Sequence, residues 1–115
     1  MEKLDPFKDA VADALQFTAG LHFERIFYGW ALYHCGHFIG IIKNSVLYLR
    51  TNRLTRLNYL RMGMQPLDPK DQVQKRFYQV PGAVVGSRRE LTRWVHEAAA
   101  IPYTVPRPEG EYRGG

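Results

Sequence analysis

The apolar residues of this chain follow two patterns, one with the period of a strand and one with the period of a helix. The strand-like pattern occupies the centre, where apolar and aromatic runs cover residues 26–34, 37–42 and 46–50. Two short breaks separate these runs, Cys35-Gly36 and Lys43-Asn44-Ser45. Because breaks of two or three residues containing Gly or Asn are typical of β-hairpins, the centre predicts a three-stranded antiparallel meander.

Side chains in these predicted strands alternate between two faces, and both faces are largely apolar. We expect four apolar residues of the meander to lie in the core: Phe27, Leu32, Ile41 and Leu49. Three aromatic residues that carry a polar atom remain as candidates for a partner surface: Tyr28, Trp30 and Tyr48. Such residues combine a large contact area with a hydrogen-bonding group, which favours interfaces.

Helical spacing predicts a first and a last helix. The first covers residues 5–19, with Asp5 as N-cap and a proline at the first helical position. The last begins at Ser87, which forms a capping box with Glu90. Its apolar stripe is Leu91, Trp94, Val95 and Ala98.

A second helix is predicted for residues 52–62, with Thr51 or Asn52 as its cap. Three leucines at helical spacing form its expected buried stripe: Leu54, Leu57 and Leu60. Arg53, Arg56 and Arg61 are then expected on its solvent side.

Residues 73–80 predict a further strand, and a short edge strand near 65–67 is expected to pair with it. The predicted order is helix, three strands, helix, two strands, helix. Tight turns make the sheet antiparallel, so the fold class is a two-layer α+β domain of about five strands with helices on one face. We assign residues 1–100 to this domain and residues 101–115 to a flexible Pro/Gly-rich tail.

Composition limits the cellular compartments in which we expect this protein. A single cysteine excludes an internal disulfide and suits a reducing compartment. The N-terminus has no apolar signal core, and no apolar run approaches the roughly 20 residues of a membrane span. We therefore expect a cytoplasmic protein that does not contact a membrane.

The turn at residues 34–37 holds two histidines and the cysteine: His34, Cys35 and His37. Three such ligands fall short of the four that a structural zinc site uses. No orienting carboxylate lies near the thiol, so catalysis at Cys35 is the weaker alternative to a plain hairpin turn. The sequence thus predicts no metal, no cofactor and no catalytic residue.

The net charge is +5, and one stretch concentrates arginine without any acid. Its members are Arg50, Arg53, Arg56 and Arg61. Arginine suits phosphate, so a nucleic-acid contact along this helix is one interpretation, and a solvated face is the other. No helix-turn-helix, zinc-finger, RRM or KH signature accompanies it.

Three segments together resemble a known family. Residues 25–33 read Arg-Ile-Phe-Tyr-Gly-Trp-Ala-Leu-Tyr, residues 46–50 read Val-Leu-Tyr-Leu-Arg, and residues 77–81 read Phe-Tyr-Gln-Val-Pro. They are similar to the TfoX/Sxy N-terminal domain of bacterial regulators of natural competence. Tyr28 and Ala31 stand where the family usually has glycine. The second helix is rich in arginine here, whereas the family pattern is commonly acidic.

The resemblance implies a stand-alone N-terminal domain with this fold and no catalytic residues. It implies a non-enzymatic regulatory or adaptor role in transcription, exerted by contact with a protein of the transcription apparatus or by self-association, for example as a homodimer. The alternative is a small basic protein that binds nucleic acid through residues 50–61.

Overall fold

The computed structural model describes residues 5–102 and has an antiparallel sheet with helices packed on one face. The elements are α1 (Pro6–Ala14), β1 (Leu21–Ile26), β2 (Gly29–His34), β3 (His37–Lys43), β4 (Val46–Arg50), α2 (Thr55–Arg61), a 3-10 turn (Gln74–Arg76), β5 (Phe77–Gln79), α3 (Gly82–Val85) and α4 (Arg88–Ala100). The strands lie in the order β1-β2-β3-β4-β5, each antiparallel to its neighbour. The predicted α+β class with a five-stranded antiparallel sheet is confirmed.

The core lies between the sheet and the helices. Strand residues with nearly zero exposure supply one side: Leu32, Ile39, Ile42, Leu47 and Leu49. All four helices supply the other: Val11, Tyr59, Val84, Leu91, Trp94, Val95 and Ala98. Helices on one face of the sheet are therefore confirmed, and so is the burial of Leu32 and Leu49.

The opposite face of the sheet also contains buried residues, among them Ala31, Ile41 and Phe77. The Phe77 ring lies 4.9 Å from the ring of Phe38 on β3, centroid to centroid. Gln74 Nε2 also lies 3.5 Å from the Tyr28 hydroxyl, so the segment before β5 reaches across to the β1–β2 turn. These contacts cover part of the face opposite the helices. They help explain why apolar residues occur on both faces of the sheet.

The prediction of one strand over residues 26–34 is wrong. Strand β1 ends at Ile26, the chain turns at Phe27-Tyr28, and β2 begins at Gly29. Phe27 is fully exposed, so its predicted burial is also wrong. A Cβ on Gly29 would lie 1.9 Å from the Ile42 carbonyl oxygen, so close approach of the neighbouring strand requires glycine there. The sheet thus has four strands before α2 and one after it, rather than three and two.

Both predicted turns are confirmed. Cys35 and Gly36 have φ values of 50° and 84°, and Asn44 and Ser45 have φ values of 53° and 61°. Two consecutive positive φ values define the tight hairpin turn whose twist matches that of the flanking strands. The sheet from β2 to β4 is therefore specified by local backbone preferences.

The predicted helix caps form in part. Asp5 Oδ1 accepts a hydrogen bond from the Lys8 amide at 3.0 Å, and Ser87 Oγ accepts one from the Glu90 amide at 3.2 Å. The reciprocal half of the capping box is absent, because the Ser87 amide donates to Val84 and the Glu90 carboxylate pairs with Arg93. Helix α3 was not predicted, and α1 is shorter than the predicted 5–19.

The predicted strand 73–80 is shorter in the structure, since a 3-10 turn occupies Gln74–Arg76. The expected edge segment does pair with β5, through an isolated bridge between Pro66 and Tyr78. Most of the predicted tail lies outside the described residues. Among residues 5–102, no helix is long and apolar enough to span a membrane.

Candidate binding surface around helix α2

Helix α2 lies with its leucines toward solvent. Leu54, Leu57 and Leu60 are 76%, 46% and 51% exposed, and Met62 just beyond them is also exposed. The expectation that these leucines form a buried stripe is therefore wrong. Tyr59 is the residue of α2 that is buried, and its ring packs edge-on against Trp94 at 4.7 Å.

Hydrogen bonds to the segment before α2 explain this orientation. Asn52 Oδ1 accepts from the amides of Leu54 and Thr55 at 3.0 and 2.8 Å, and the Asn52 amide donates to Thr55 Oγ1 at 2.9 Å. Asn52 therefore caps the turn that leads into α2, whereas the helix itself begins at Thr55 with Leu54 in the N-cap position. These bonds hold the polar residues at the start of α2 in place. They therefore help determine which side of the helix faces the core.

Thr51 connects α2 to the segment before β5. Its buried hydroxyl donates to the Arg76 carbonyl at 2.7 Å, and its amide donates to the same carbonyl at 2.9 Å. Arg56 Nε in turn donates to Thr51 Oγ1 at 3.1 Å. The Arg56 guanidinium also lies over the Tyr78 ring, 5.7 Å from its centroid. Two chain segments are thereby held side by side.

A concave basic groove of about 780 Å³ opens between these segments. Five cationic residues line what we call the basic groove: Arg50, Arg53, Arg56, Lys75 and Arg76. Thr51, Asn52 and Tyr78 add polar atoms, while Pro66, Pro69 and Ile101 form apolar walls. No acidic residue is among its lining residues within the described part of the chain.

The five cations differ in how strongly they are held. Arg50 Nη2 donates to the carbonyls of Ile101 and Ala98 at 2.8 and 3.4 Å, which places a cation at the C-terminal end of α4. Within residues 5–102, Arg53, Lys75 and Arg76 form no ion pair with a carboxylate. Their charges are therefore available to an anionic ligand.

Three of the four arginines predicted to contact nucleic acid lie together in this groove. Arg61 does not, and it lies instead in a shallow depression with Arg93 and Trp94. Lys75 and Arg76 were missed, because residues 73–80 were interpreted as a regular strand. Their signal in the sequence was the pair of adjacent cations before Phe77, which by itself does not reveal the proximity of α2.

The three aromatic candidates for a partner surface do not form one surface. Trp30 packs against the helix-side core, and its Nε1 donates to Asp5 Oδ2 at 3.0 Å. Tyr48 pairs with Ile41, on the other face of the sheet. Tyr28 lies in the β1–β2 turn and is partly exposed, with Lys43 Nζ 5.4 Å from its ring centroid.

The turn at residues 34–37 is exposed, and Cys35 Sγ lies 3.9 Å from His34 Nε2. In the described residues, no three His, Cys, Asp or Glu side chains are grouped closely enough to hold a metal ion. The hydroxyl of Tyr59, the buried residue of α2, has a perturbed pKa. Burial raises the pKa of its hydroxyl well above the usual value, and the nearby negative charge of Glu97 raises it further.

The sequence model of the TfoX N-terminal domain matches residues 13–101, which cover most of the chain. A search of curated proteins found no match.

Proposed function

The chain belongs to the TfoX N-terminal domain family, and from that premise we propose that it is a non-enzymatic regulatory or adaptor domain. It acts in the cytoplasm, by contact with another protein, in the control of transcription. The observation that supports protein contact is the row of exposed leucines on α2. We call Leu54, Leu57, Leu60 and Met62 the leucine face.

An exposed apolar face of this kind is costly unless a partner covers it, because each leucine leaves apolar surface in water. The leucine face lies on a helix whose orientation is held by the Asn52–Thr55 bonds and by Tyr59. The leucines are therefore presented on a fixed scaffold, which lowers the entropy cost of binding.

The partner we propose is a protein segment that combines apolar residues with acidic ones. Arg53 and Arg61 are exposed at the two ends of the leucine face, and Leu54 borders the basic groove. A second copy of this chain would bring these cations together without an acid in residues 50–62 to compensate. Charge complementarity thus favours an acidic partner over a homodimer.

The test is capture from a native lysate followed by binding of the purified partner. We expect one identified protein to bind the wild-type domain and a Val73→Gln control, in which a different exposed apolar residue is replaced. The Leu57→Gln/Leu60→Gln variant should lose this binding. A synthetic segment of the partner with acidic and apolar residues should compete in fluorescence anisotropy.

Equal binding by the leucine variant would contradict the proposal. So would a concentration-dependent dimer in sedimentation that the leucine substitutions abolish, because the leucine face would then be occupied by a second copy of the chain.

Nucleic-acid binding is a second candidate, favoured by the strongly basic surface to which Arg50, Arg53 and Arg56 contribute. It predicts salt-sensitive binding of an oligonucleotide that the Arg53→Glu/Arg56→Glu variant loses. Polarisation titrations at low ionic strength that show no binding would exclude it.

A further inference from the structure

We propose that the basic groove is a binding site for a small ligand that carries a phosphate or polyphosphate group. Of the leucine face, only Leu54 also lines this site, and the proposal does not depend on the protein partner. Four features of the described residues support it: the shape of the groove, the fixed position of Arg56, the unpaired charges, and the position of Arg61.

The shape of the groove suits a small molecule. Its volume of about 780 Å³ falls within the range of roughly 300–1,000 Å³ that small-ligand sites occupy. Pro66, Pro69 and Ile101 provide apolar walls, and Thr51 and Asn52 provide polar atoms. A phosphate-bearing molecule that also has an apolar or ring portion would find complementary surface for both parts.

Arg56 is held in place before any ligand arrives. Its Nε donates to Thr51 Oγ1, and its guanidinium lies over the Tyr78 ring. Thr51 is itself fixed by two hydrogen bonds to the Arg76 carbonyl. A planar guanidinium that is already oriented loses little entropy when it binds phosphate through its other N–H groups.

Three of the other four cations have no carboxylate partner in the described part of the chain. Arg53, Lys75 and Arg76 form no ion pair within residues 5–102, and no carboxylate lines the groove. Like charges collected in a concave site focus a positive potential there and repel one another. An anion with several charged oxygens relieves that repulsion, and this effect favours polyphosphate over a single phosphate.

The position of Arg61 distinguishes a small ligand from a nucleic acid. A nucleic-acid backbone would follow a line of cations, and the arginine spacing along residues 50–61 predicted such a line. In the structure Arg61 lies in a separate depression with Arg93, while the other cations converge on one concavity. Convergence is the arrangement expected for a compact anion.

The test is isothermal titration calorimetry with three probes: inorganic tripolyphosphate, adenosine triphosphate without divalent cations, and a single-stranded oligonucleotide. The groove variant is Arg53→Gln/Arg76→Gln, because neither side chain forms a hydrogen bond or ion pair within residues 5–102. The bonds from Thr51 to Arg76 use only the Arg76 backbone carbonyl, which the substitution keeps. The control is Arg61→Gln, at the last residue of α2 and outside the groove.

We expect the two small probes to bind at physiological ionic strength, and the groove variant to bind them about tenfold or more weakly. The control should bind as the wild type does. Stronger binding of adenosine triphosphate than of tripolyphosphate would assign the apolar walls to the nucleoside, and equal binding would assign the site to the phosphates alone; both support the proposal.

Binding of the oligonucleotide without either small probe would overturn it, and so would absence of all binding. Equal weakening by Arg61→Gln would do the same, since net charge would then explain the affinity. The Leu57→Gln/Leu60→Gln variant should keep phosphate binding, so failure of the protein-partner proposal and failure of this one remain distinguishable.

Discussion

Helices α2 and α4 have similar apolar spacing, but the apolar stripe of α4 is buried and that of α2 is exposed. In α4, Leu91, Trp94, Val95 and Ala98 are buried, as their spacing predicts. Leu54 at the N-cap of α2 and Leu57 and Leu60 within it repeat every third residue yet lie on the solvent side. Helix α4 is anchored by its apolar stripe, whereas α2 is anchored by one tyrosine and a set of polar contacts.

An apolar stripe on a helix indicates a surface that must be covered. It does not show whether the same chain or another molecule covers it. The stripe of α4 is covered by the sheet of its own chain. The stripe of α2 is exposed in this chain, which is the expected condition of an interaction surface.

Replacing a core leucine of α4 should be the most damaging change. Leu91 has no exposed surface, so Leu91→Ala removes buried methyl groups and leaves a cavity. We expect a loss of about 2–5 kcal/mol in the free energy of unfolding, measured by urea denaturation. A loss below about 1 kcal/mol would contradict the view that α4 is held by its apolar stripe.

The buried Tyr59 should make stability fall at alkaline pH. Its folded-state pKa is raised above the ordinary value of 10.0, so above that pH the unfolded chain releases a proton that the folded chain retains. The contribution of Tyr59 to the free energy of unfolding is constant below pH about 10 and then falls by at most about 1.4 kcal/mol per pH unit, until the pH passes the folded pKa.

Tyr59→Phe should remove this alkaline slope, because phenylalanine has no proton to lose. Tyr28→Phe, at a partly exposed tyrosine, is the matched control and should keep the slope. Urea denaturation at a series of pH values measures both. A slope that persists in Tyr59→Phe would assign it to other groups.

The cap of α2 should matter more than the cap of α4. Asn52→Ala removes a side-chain oxygen that accepts from two amides, so we expect a loss of about 1–2 kcal/mol in the free energy of unfolding. Ser87→Ala removes one longer bond and should cost about 0.5–1 kcal/mol. Urea denaturation of both variants compares them, and a larger loss for Ser87→Ala would contradict the view that polar contacts anchor α2.

Replacing a leucine of α2 should have the smallest effect on stability. Because Leu57 is exposed and outside the core, Leu57→Ala should change the free energy of unfolding by less than about 0.5 kcal/mol. The same urea measurement checks it against Leu91→Ala. A loss comparable to that of Leu91→Ala would show that Leu57 packs against this chain and would remove the argument for a partner surface.

Much of the fold was predictable because it depends on short-range chemistry. The turns at Cys35-Gly36 and Asn44-Ser45 follow from residues that tolerate positive φ or favour turns, and Asp5 and Ser87 cap the helices that follow them. The turn at Phe27-Tyr28 was missed because it contains no Gly, Asn, Asp or Pro. Gly29 does not by itself indicate a turn. Glycine is required at this position because Ile42 on the neighbouring strand approaches it closely.

Only part of the basic groove could be predicted from the sequence, for a similar reason. Arg50, Arg53 and Arg56 are close in sequence and were recognised together as a basic group. Lys75 and Arg76 join them because Thr51 bonds to the Arg76 carbonyl, a contact between residues 25 positions apart. No local pattern in either segment reports this contact.

The sequence by itself therefore determined the fold class, the two tight turns, the helix caps and the presence of a basic, leucine-containing second helix. These features depend on backbone preferences and on periodicity within a few residues. Only the tertiary structure decided which side of α2 faces solvent and which cations share a groove. Those outcomes depend on the contacts of Tyr59 with Trp94 and of Thr51 with the Arg76 carbonyl, which form only after distant segments meet.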